Sequence, residues 1–366
     1  MKDNHKHSVL LVCNTPFQIL MACHIVFLFY KNYNIDIAIS DGIRNGDKLV
    51  DNARKTNYFR SVFFIHNKKS FLLDNSIKSK IKYILSRIYE VFRNYFIVRS
   101  FFKNKYDIIL FSNISILTKL LVFFIRKKNR ECKLGIFEEG LVTYTKLYAS
   151  GDDKSTLYSK FIDSEGIFPK IDFVYLCHPN LLEWNTYQAQ VIQLPSLQRY
   201  NKEYIELLNI IFDYSSNVDV YDAKVIFFEE SHCFEGFVVP DIDIVNKIAE
   251  KIGPENIMIK IHPRNPINRF SELGYKTNIN TIIPWEVIML NQEFDDKIFV
   301  TISSGAVVSP YLYIGLPCVS YSLLNCLLER PGFMNGSLGD MMQRIYSCYS
   351  GVFKTPKTID EFLLKL

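Results

Sequence analysis

The stretch Ser8-Val9-Leu10-Leu11-Val12-Cys13, followed at once by Asn14-Thr15-Pro16-Phe17-Gln18, decides the fold. A short uncharged run rich in Val and Leu has the length and composition of a strand buried on both faces. The residues after it read as a helix start. Thr15 suits the N-cap, Pro16 the first helical position, and Gln18 the return partner of a capping box. The wider span Val9–Tyr30 resembles a membrane anchor in hydropathy alone. It carries Asn14, Thr15, Pro16, Gln18 and His24, whose polar groups a spanning helix would place in hydrocarbon at a cost of several kcal/mol each. No small-residue cleavage site follows. A buried strand running into a helix, in a cytoplasmic protein, is the expectation.

Working outward, the same alternation recurs. Further strands are predicted at Ile35–Ile39, Ser61–Ile65, Asp107–Phe111, Lys133–Phe137 and Ile171–Leu176, with helical patterns at Ile77–Phe102 and Ile116–Arg126. After Tyr204–Phe212, which has helical spacing, comes a polar stretch, Tyr214–Asp219. The alternation then restarts: strand Val225–Phe228, helix Asp241–Ile252 closed by Gly253, strands Ile257–Ile261 and Lys297–Ile302, helix Ala306–Tyr313 and strand Pro317–Tyr321. This order implies two parallel sheets covered on both faces. Two Rossmann-like α/β domains with a central cleft are expected, the GT-B glycosyltransferase architecture. Residues 1–195 would form the acceptor-side domain, 196–222 a linker, and 223–366 the nucleotide-sugar domain.

Composition fits a globular chain, with 366 residues, 48% hydrophobic and 22% charged, so disorder is excluded. The net charge of +5 is unevenly spread. Residues 67–105 hold ten Lys/Arg against Asp74 and Glu90, hence +8, and the remaining 33 Lys/Arg against 36 Asp/Glu give −3. Such a basic stripe suits a solvated helix face or an anionic surface. Within it Ile77, Ile81, Ile84, Ile88, Val91 and Phe92 repeat at helical spacing, a stripe that serves a core or a membrane contact. The eight cysteines form no C-x-x-C pair and fall mostly in apolar runs, so they read as buried thiols and not as zinc ligands or a disulfide framework.

Ligands of open α/β sheets bind beyond the carboxyl ends of strands, and four such places carry chemistry. Phe137-Glu138-Glu139-Gly140 sets two carboxylates beside a glycine, for use as a base or to hold a sugar hydroxyl. Ile261-His262-Pro263-Arg264 sets an imidazole and a guanidinium where a phosphate can be gripped or protonated. Ile302-Ser303-Ser304-Gly305-Ala306 runs two hydroxyls into a helix start, where backbone N–H groups bind anions and Ser304 suits an N-cap. The loop Glu229-Glu230-Ser231-His232-Cys233-Phe234-Glu235-Gly236 supplies three further carboxylates. Neither G-x-G-x-x-G nor a phosphate-binding G-x-x-x-x-G-K-[ST] occurs. Asp241-Ile242-Asp243 has the form of a metal-binding D-x-D, but its place at a helix start makes Asp241 an N-cap. No metal is expected.

Taken together, Cys13-Asn14-Thr15-Pro16-Phe17-Gln18, Phe137-Glu138-Glu139-Gly140, His262-Pro263-Arg264 and Ser303-Ser304-Gly305-Ala306 resemble the bacterial lipooligosaccharide and capsule sialyltransferases of glycosyltransferase family 52. Bacterial polysialyltransferases share the acidic-acidic-Gly, His-Pro and Ser-Ser set and are close rivals. The resemblance implies a CMP-sialic acid donor, inversion at the anomeric carbon and no metal or other cofactor. His262 would act as acid on the CMP phosphate, with Ser303 and Ser304 binding it alongside Pro263, Arg264 and Gly305. The base would be Glu235 or Glu230, leaving Thr15, Gln18, Glu138, Glu139 and Gly140 to hold acceptor or sialic acid. In polysialyltransferases the acidic-acidic-Gly motif is itself taken to supply the base. Expected partners are the donor, a galactoside or sialoside glycan, the inner face of the plasma membrane through the basic helix, and a second copy of the chain, with no nucleic acid. The alternatives are a GT-B enzyme using another nucleotide sugar, a CDP-alditol phosphotransferase of the teichoic-acid type, and an inactive membrane-bound scaffold.

Overall fold

The computed structural model describes residues 6–66, helical positions scattered between 81 and 101, and residues 104–146, 148, 167–197, 201–215, 219–231, 236, 238–278, 280–327 and 336–366. The chain forms two compact units, Met1–Pro195 with Glu206–Asp213, and Ser196–Ile205 with Tyr214–Leu366. The helix Lys202–Phe212 contributes residues to both.

The first unit is built on a parallel sheet of β1 Ser8–Cys13, β2 Asn34–Ser40, β3 Ser61–Ile65, β4 Ile108–Phe111, β5 Lys133–Phe137, β6 Phe173–Leu176 and β7 Gln190–Gln193. Their order is β3-β2-β1-β4-β5-β6-β7. β1 is buried along its whole length and pairs with both β2 and β4. The order therefore reverses between β1 and β4, the switch point of a doubly wound sheet. As expected, Val9–Tyr30 is a strand followed by a helix, Pro16–Ile25, continued by a π-turn, Val26–Tyr30. Among the described residues no helix is long and apolar enough to cross a membrane. At the amino end of the sheet Asp36, fully buried in β2, is satisfied by a bidentate Arg60 (2.9 and 2.6 Å), the Tyr106 hydroxyl (2.7 Å) and the Asn104 amide (3.0 Å). A buried carboxylate is tolerable only with such a partner set.

The second unit repeats the plan with β8 Val225–Phe228, β9 Ile257–Lys260, β10 Lys276–Thr277, β11 Ile298–Thr301, β12 Val319–Ser322 and β13 Phe353–Lys354. The order β10-β9-β8-β11-β12-β13 places its switch point between β8 and β11. The helix Asp241–Ile252 has the predicted bounds and closes on Gly253 at φ +89°. Asp241 is not its N-cap, however. Pro240 holds that place, and Asp241 gives its carboxylate to Arg269. The helix predicted over Ala306–Tyr313 is instead a 3₁₀ turn, Gly305–Val307, and a π-turn, Pro310–Ile314. Pro310 has no N–H to give an α-helical ladder, which accounts for the break.

Candidate active site

In the second unit the ends of β8, β9 and β11 gather three of the four singled-out stretches. The ladder runs one residue past β8, where the Glu229 N–H donates to the Lys260 carbonyl (3.0 Å). The Glu229 carboxylate is buried and accepts from Arg269 (3.1 Å) and from the His262 backbone N–H (3.1 Å). Arg269 in turn grips Asp241 at 2.5 Å. The turn His262–Asn265 is therefore anchored at its start through Glu229. It is also tied by Asn265 N–H to the His262 carbonyl (3.0 Å) and by the Asn265 amide to the Glu230 carbonyl (2.9 Å). His262 itself is half-buried, while Pro263 and Arg264 are exposed.

The Arg264 N–H donates to Nδ1 of His262 at 3.2 Å. Accepting that bond, the neutral ring carries its proton on Nε2. Just before this turn Lys260 is buried, and burial lowers its ammonium pKa to about 8 against the pull of Glu286 and Asp219.

Glu230 is buried as well. Its Oε1 accepts from the Thr301 hydroxyl (2.6 Å) and from the Ser303 N–H, so a carboxylate from the end of β8 fastens the end of β11 across the switch point. The Ser304 N–H donates to Thr301 Oγ1 (2.9 Å), and the Ser304 hydroxyl caps the short turn by accepting from Ala306 N–H (3.3 Å). The N–H groups expected to meet an anion at Ser303 and Ser304 are thus spent inside the unit. At this strand end Ser303 is buried, Ser304 half-buried and Gly305 exposed.

In the first unit Thr15 caps its helix as predicted, accepting from Gln18 N–H (3.1 Å) with Pro16 behind it. Gln18 is buried, and its amide works in two directions. The carbonyl oxygen accepts from Asn14 N–H (2.6 Å), and the NH₂ donates to Glu139 (2.8 Å), bridging the ends of β1 and β5. Glu139 is half-exposed, its N–H bound to the Thr143 hydroxyl (2.9 Å). Glu138, expected to touch substrate, is fully buried. Its carboxylate accepts from the Tyr144 hydroxyl (2.6 Å) and the Cys177 N–H (2.9 Å). Burial first, and then Glu138, push the Tyr144 phenol and the Cys177 thiol well above their ordinary pKa values. Gly140 follows at φ +119°, ψ −166°, backbone open to glycine alone, with nothing near its missing side chain.

Glu235 lies outside the described residues. Sequence reasoning missed Arg269, Asn265, Thr301 and Tyr144, the groups that hold the strand-end carboxylates and the His262 turn. Only Thr301, a polar residue closing an apolar strand, left a signal. Among the described residues no three His, Cys, Asp or Glu gather as a metal-binding group.

A family model described as "Alpha-2,8-polysialyltransferase (POLYST)" matches residues 9–322 of this chain. The chain belongs to the alpha-2,8-polysialyltransferase family. The sialyltransferase resemblance read from the motifs is borne out, with the polysialyltransferases as the matched family. No curated protein matches the sequence.

Solved structures show the fold of this polysialyltransferase-family chain. An α/β-galactoside α-2,3-sialyltransferase from Photobacterium phosphoreum superposes with a TM-score of 0.54 at 11% identity, covering 99% of this chain and 100% of that one. The spinosyn rhamnosyltransferase SpnG complexed with thymidine diphosphate gives 0.53 at 8% identity, over 97% and 87%. Medicago truncatula UGT71G1 complexed with UDP-glucose gives 0.52 at 10% identity, over 99% and 89%. The protein is a glycosyltransferase of GT-B fold with two Rossmann-like parallel sheets.

Proposed function

We propose that the protein transfers sialic acid from CMP-sialic acid, with inversion and without a metal, to a sialoside or galactoside end of a bacterial surface glycan such as capsule or lipooligosaccharide. The family match over residues 9–322 carries this reading, and its α-2,8 description favours a sialoside acceptor. We also assign it to the cytoplasm, working at the inner face of the plasma membrane.

In this reading the Nε2–H of His262 donates a hydrogen bond to the departing phosphate of CMP and stabilises the charge it takes on, while Arg264 and the hydroxyls of Ser303 and Ser304 bind that phosphate. A carboxylate takes the proton of the acceptor hydroxyl, whose oxygen forms the new bond to the anomeric carbon as the bond to phosphate breaks. We assign that base to Glu139. It is half-exposed at a strand end and oriented by Gln18, whereas the Glu230 carboxylate is occupied by Thr301 and Ser303. Gln18, Thr15 and Gly140 would set the place of Glu139, and Glu229 that of His262.

The test is incubation of the purified chain with CMP-sialic acid and a sialylated oligosaccharide, in excess EDTA. A mass gain of one or more sialyl residues on the acceptor is expected. Consumption of a different nucleotide sugar alone, or activity that needs added Mg²⁺ or Mn²⁺, would contradict it.

A further inference from the structure

The described residues between 81 and 101 are helical and lie in the first unit. Val98 and Phe101 are fully buried and fix the inward face of this helix. Tyr95 meets Phe124 of the helix Ile116–Lys128 edge to face, with ring centroids 5.7 Å apart. At about 100° per residue, Ile81, Leu85, Tyr89, Phe92 and Phe96 fall within roughly 80° of arc, away from the side of Val98 and Phe101.

This second apolar stripe is 53 to 65% exposed, and Phe123 of the neighbouring helix is exposed too. Single exposed apolar residues are ordinary on a soluble protein, but five aligned along one helix face are not. The stripe differs from the one read in the sequence. Residues 77, 84, 88 and 91 lie outside the described residues, and Leu85, Tyr89 and Phe96 join Ile81 and Phe92.

Lys82, Arg93 and Arg99 on the same helix are exposed, within the segment 67–105 that carries ten Lys/Arg against two acidic residues. We infer that this face seats on an anionic phospholipid bilayer, its rings and aliphatic groups entering the acyl boundary and its Lys and Arg meeting lipid phosphates. An apolar stripe with basic residues is the pattern of a helix lying in the membrane interface, and apolar insertion combined with charge gives firmer binding than either alone. A second copy of the chain fits this face poorly, because it would press two segments of +8 against each other. The inference rests on the membrane part of the proposed function and not on its chemistry. It names the surface that would bring the enzyme to a lipid-linked acceptor.

The experiment is flotation of the full chain with vesicles of phosphatidylcholine alone, or of phosphatidylcholine with phosphatidylglycerol, at low and high salt. The protein is expected to float with the anionic vesicles only, and less so at high salt. A Lys82→Glu/Arg93→Glu variant should lose partitioning by about a hundredfold or more, since each basic residue is worth a factor of about five at such a surface. A Phe92→Ser/Phe96→Ser variant should lose about tenfold or more even at low salt. All four side chains are exposed, so far-UV circular dichroism and melting should be unchanged. CMP release onto a soluble acceptor should also be unchanged in both variants, so that loss of docking and loss of sialyl transfer are read separately. Equal binding to neutral and anionic vesicles, undiminished binding of either variant, or a dimer in sedimentation that Phe92→Ser/Phe96→Ser dissolves would overturn the inference.

Discussion

Each of the two sheets ends a strand in a Glu-Glu pair, and the pairs look interchangeable in the sequence. After β5, Glu138 turns inward to Tyr144 and Cys177 while Glu139 stays half-exposed. After β8, both members turn inward, Glu229 to Arg269 and the His262 backbone, Glu230 to Thr301 and Ser303. The difference follows from the neighbours. The β8 pair stands at the switch point, beside β9 and β11; the chain after β9 brings the Arg269 guanidinium and the His262 N–H to meet it, and the end of β11 the Thr301 hydroxyl and the Ser303 N–H. The β5 pair is one strand removed from its own switch point and is followed by Gly140 at positive φ, which turns the chain after a single buried acid. Carboxylate count therefore says little about catalysis here. The second unit uses its acids as acceptors that hold a His and a Ser loop, and the first unit presents one.

The largest effect that tests this division lies at His262. His262→Ala should lower kcat by about 10²–10³-fold while CMP affinity changes little, as for loss of a donor aimed at charge that develops in the transition state. Steady-state kinetics with CMP-binding calorimetry would check it, and near-normal turnover would reduce the turn held by Glu229 to a structural element. Next, replacing Ser303 and Ser304 together by Ala should raise the donor KM about ten- to a hundredfold, the worth of hydrogen bonds to a charged phosphate. An unchanged KM would leave Ser304 as a turn cap and nothing more.

The smallest effect contrasts the buried charges of the two sheets. Asp36 in the first is fully paired, whereas Lys260 in the second sits at a pKa lowered to about 8 by burial, against the pull of Glu286 and Asp219. Between pH 8 and the ordinary lysine value of 10.5 the unfolded chain holds a proton that the folded chain has lost. Stability from this group is thus fully present above that window and lost as pH falls to about 8. Relative to wild type, Lys260→Met should gain most at pH 8 and lose that advantage toward pH 10, a swing of up to about 3 kcal/mol. Paired thermal melts across this range measure it, and a constant difference would place Lys260 in a better-solvated site.

The strands were legible where physics leaves one reading. Ser8–Cys13, Ser61–Ile65, Lys133–Phe137 and Val225–Phe228 are uninterrupted or nearly uninterrupted apolar runs, and the structure gives them the same bounds. Gln190–Gln193 escaped because a largely exposed strand has no apolar run, and Lys276–Thr277 and Phe353–Lys354 because two residues carry no period. The carboxyl-end rule found His262, Ser303 and Glu139 as strand-end residues. It could not say which acids face inward, since that is decided by partners such as Arg269, forty residues from Glu229 in sequence.

The central claim, that Glu139 serves the reaction and Glu230 the scaffold, is tested most directly by acceptor-dependent CMP release from CMP-sialic acid. Wild type, Glu139→Gln, Glu230→Gln and Glu235→Gln would be measured side by side, with CMP affinity as the control. Glu139→Gln should lose about 10²–10⁴-fold in kcat with CMP binding intact, while both other variants keep turnover within about tenfold, because Gln in place of Glu230 still offers an oxygen to Thr301 and Ser303. Full turnover by Glu139→Gln, with the loss appearing in Glu230→Gln or Glu235→Gln, would contradict the account.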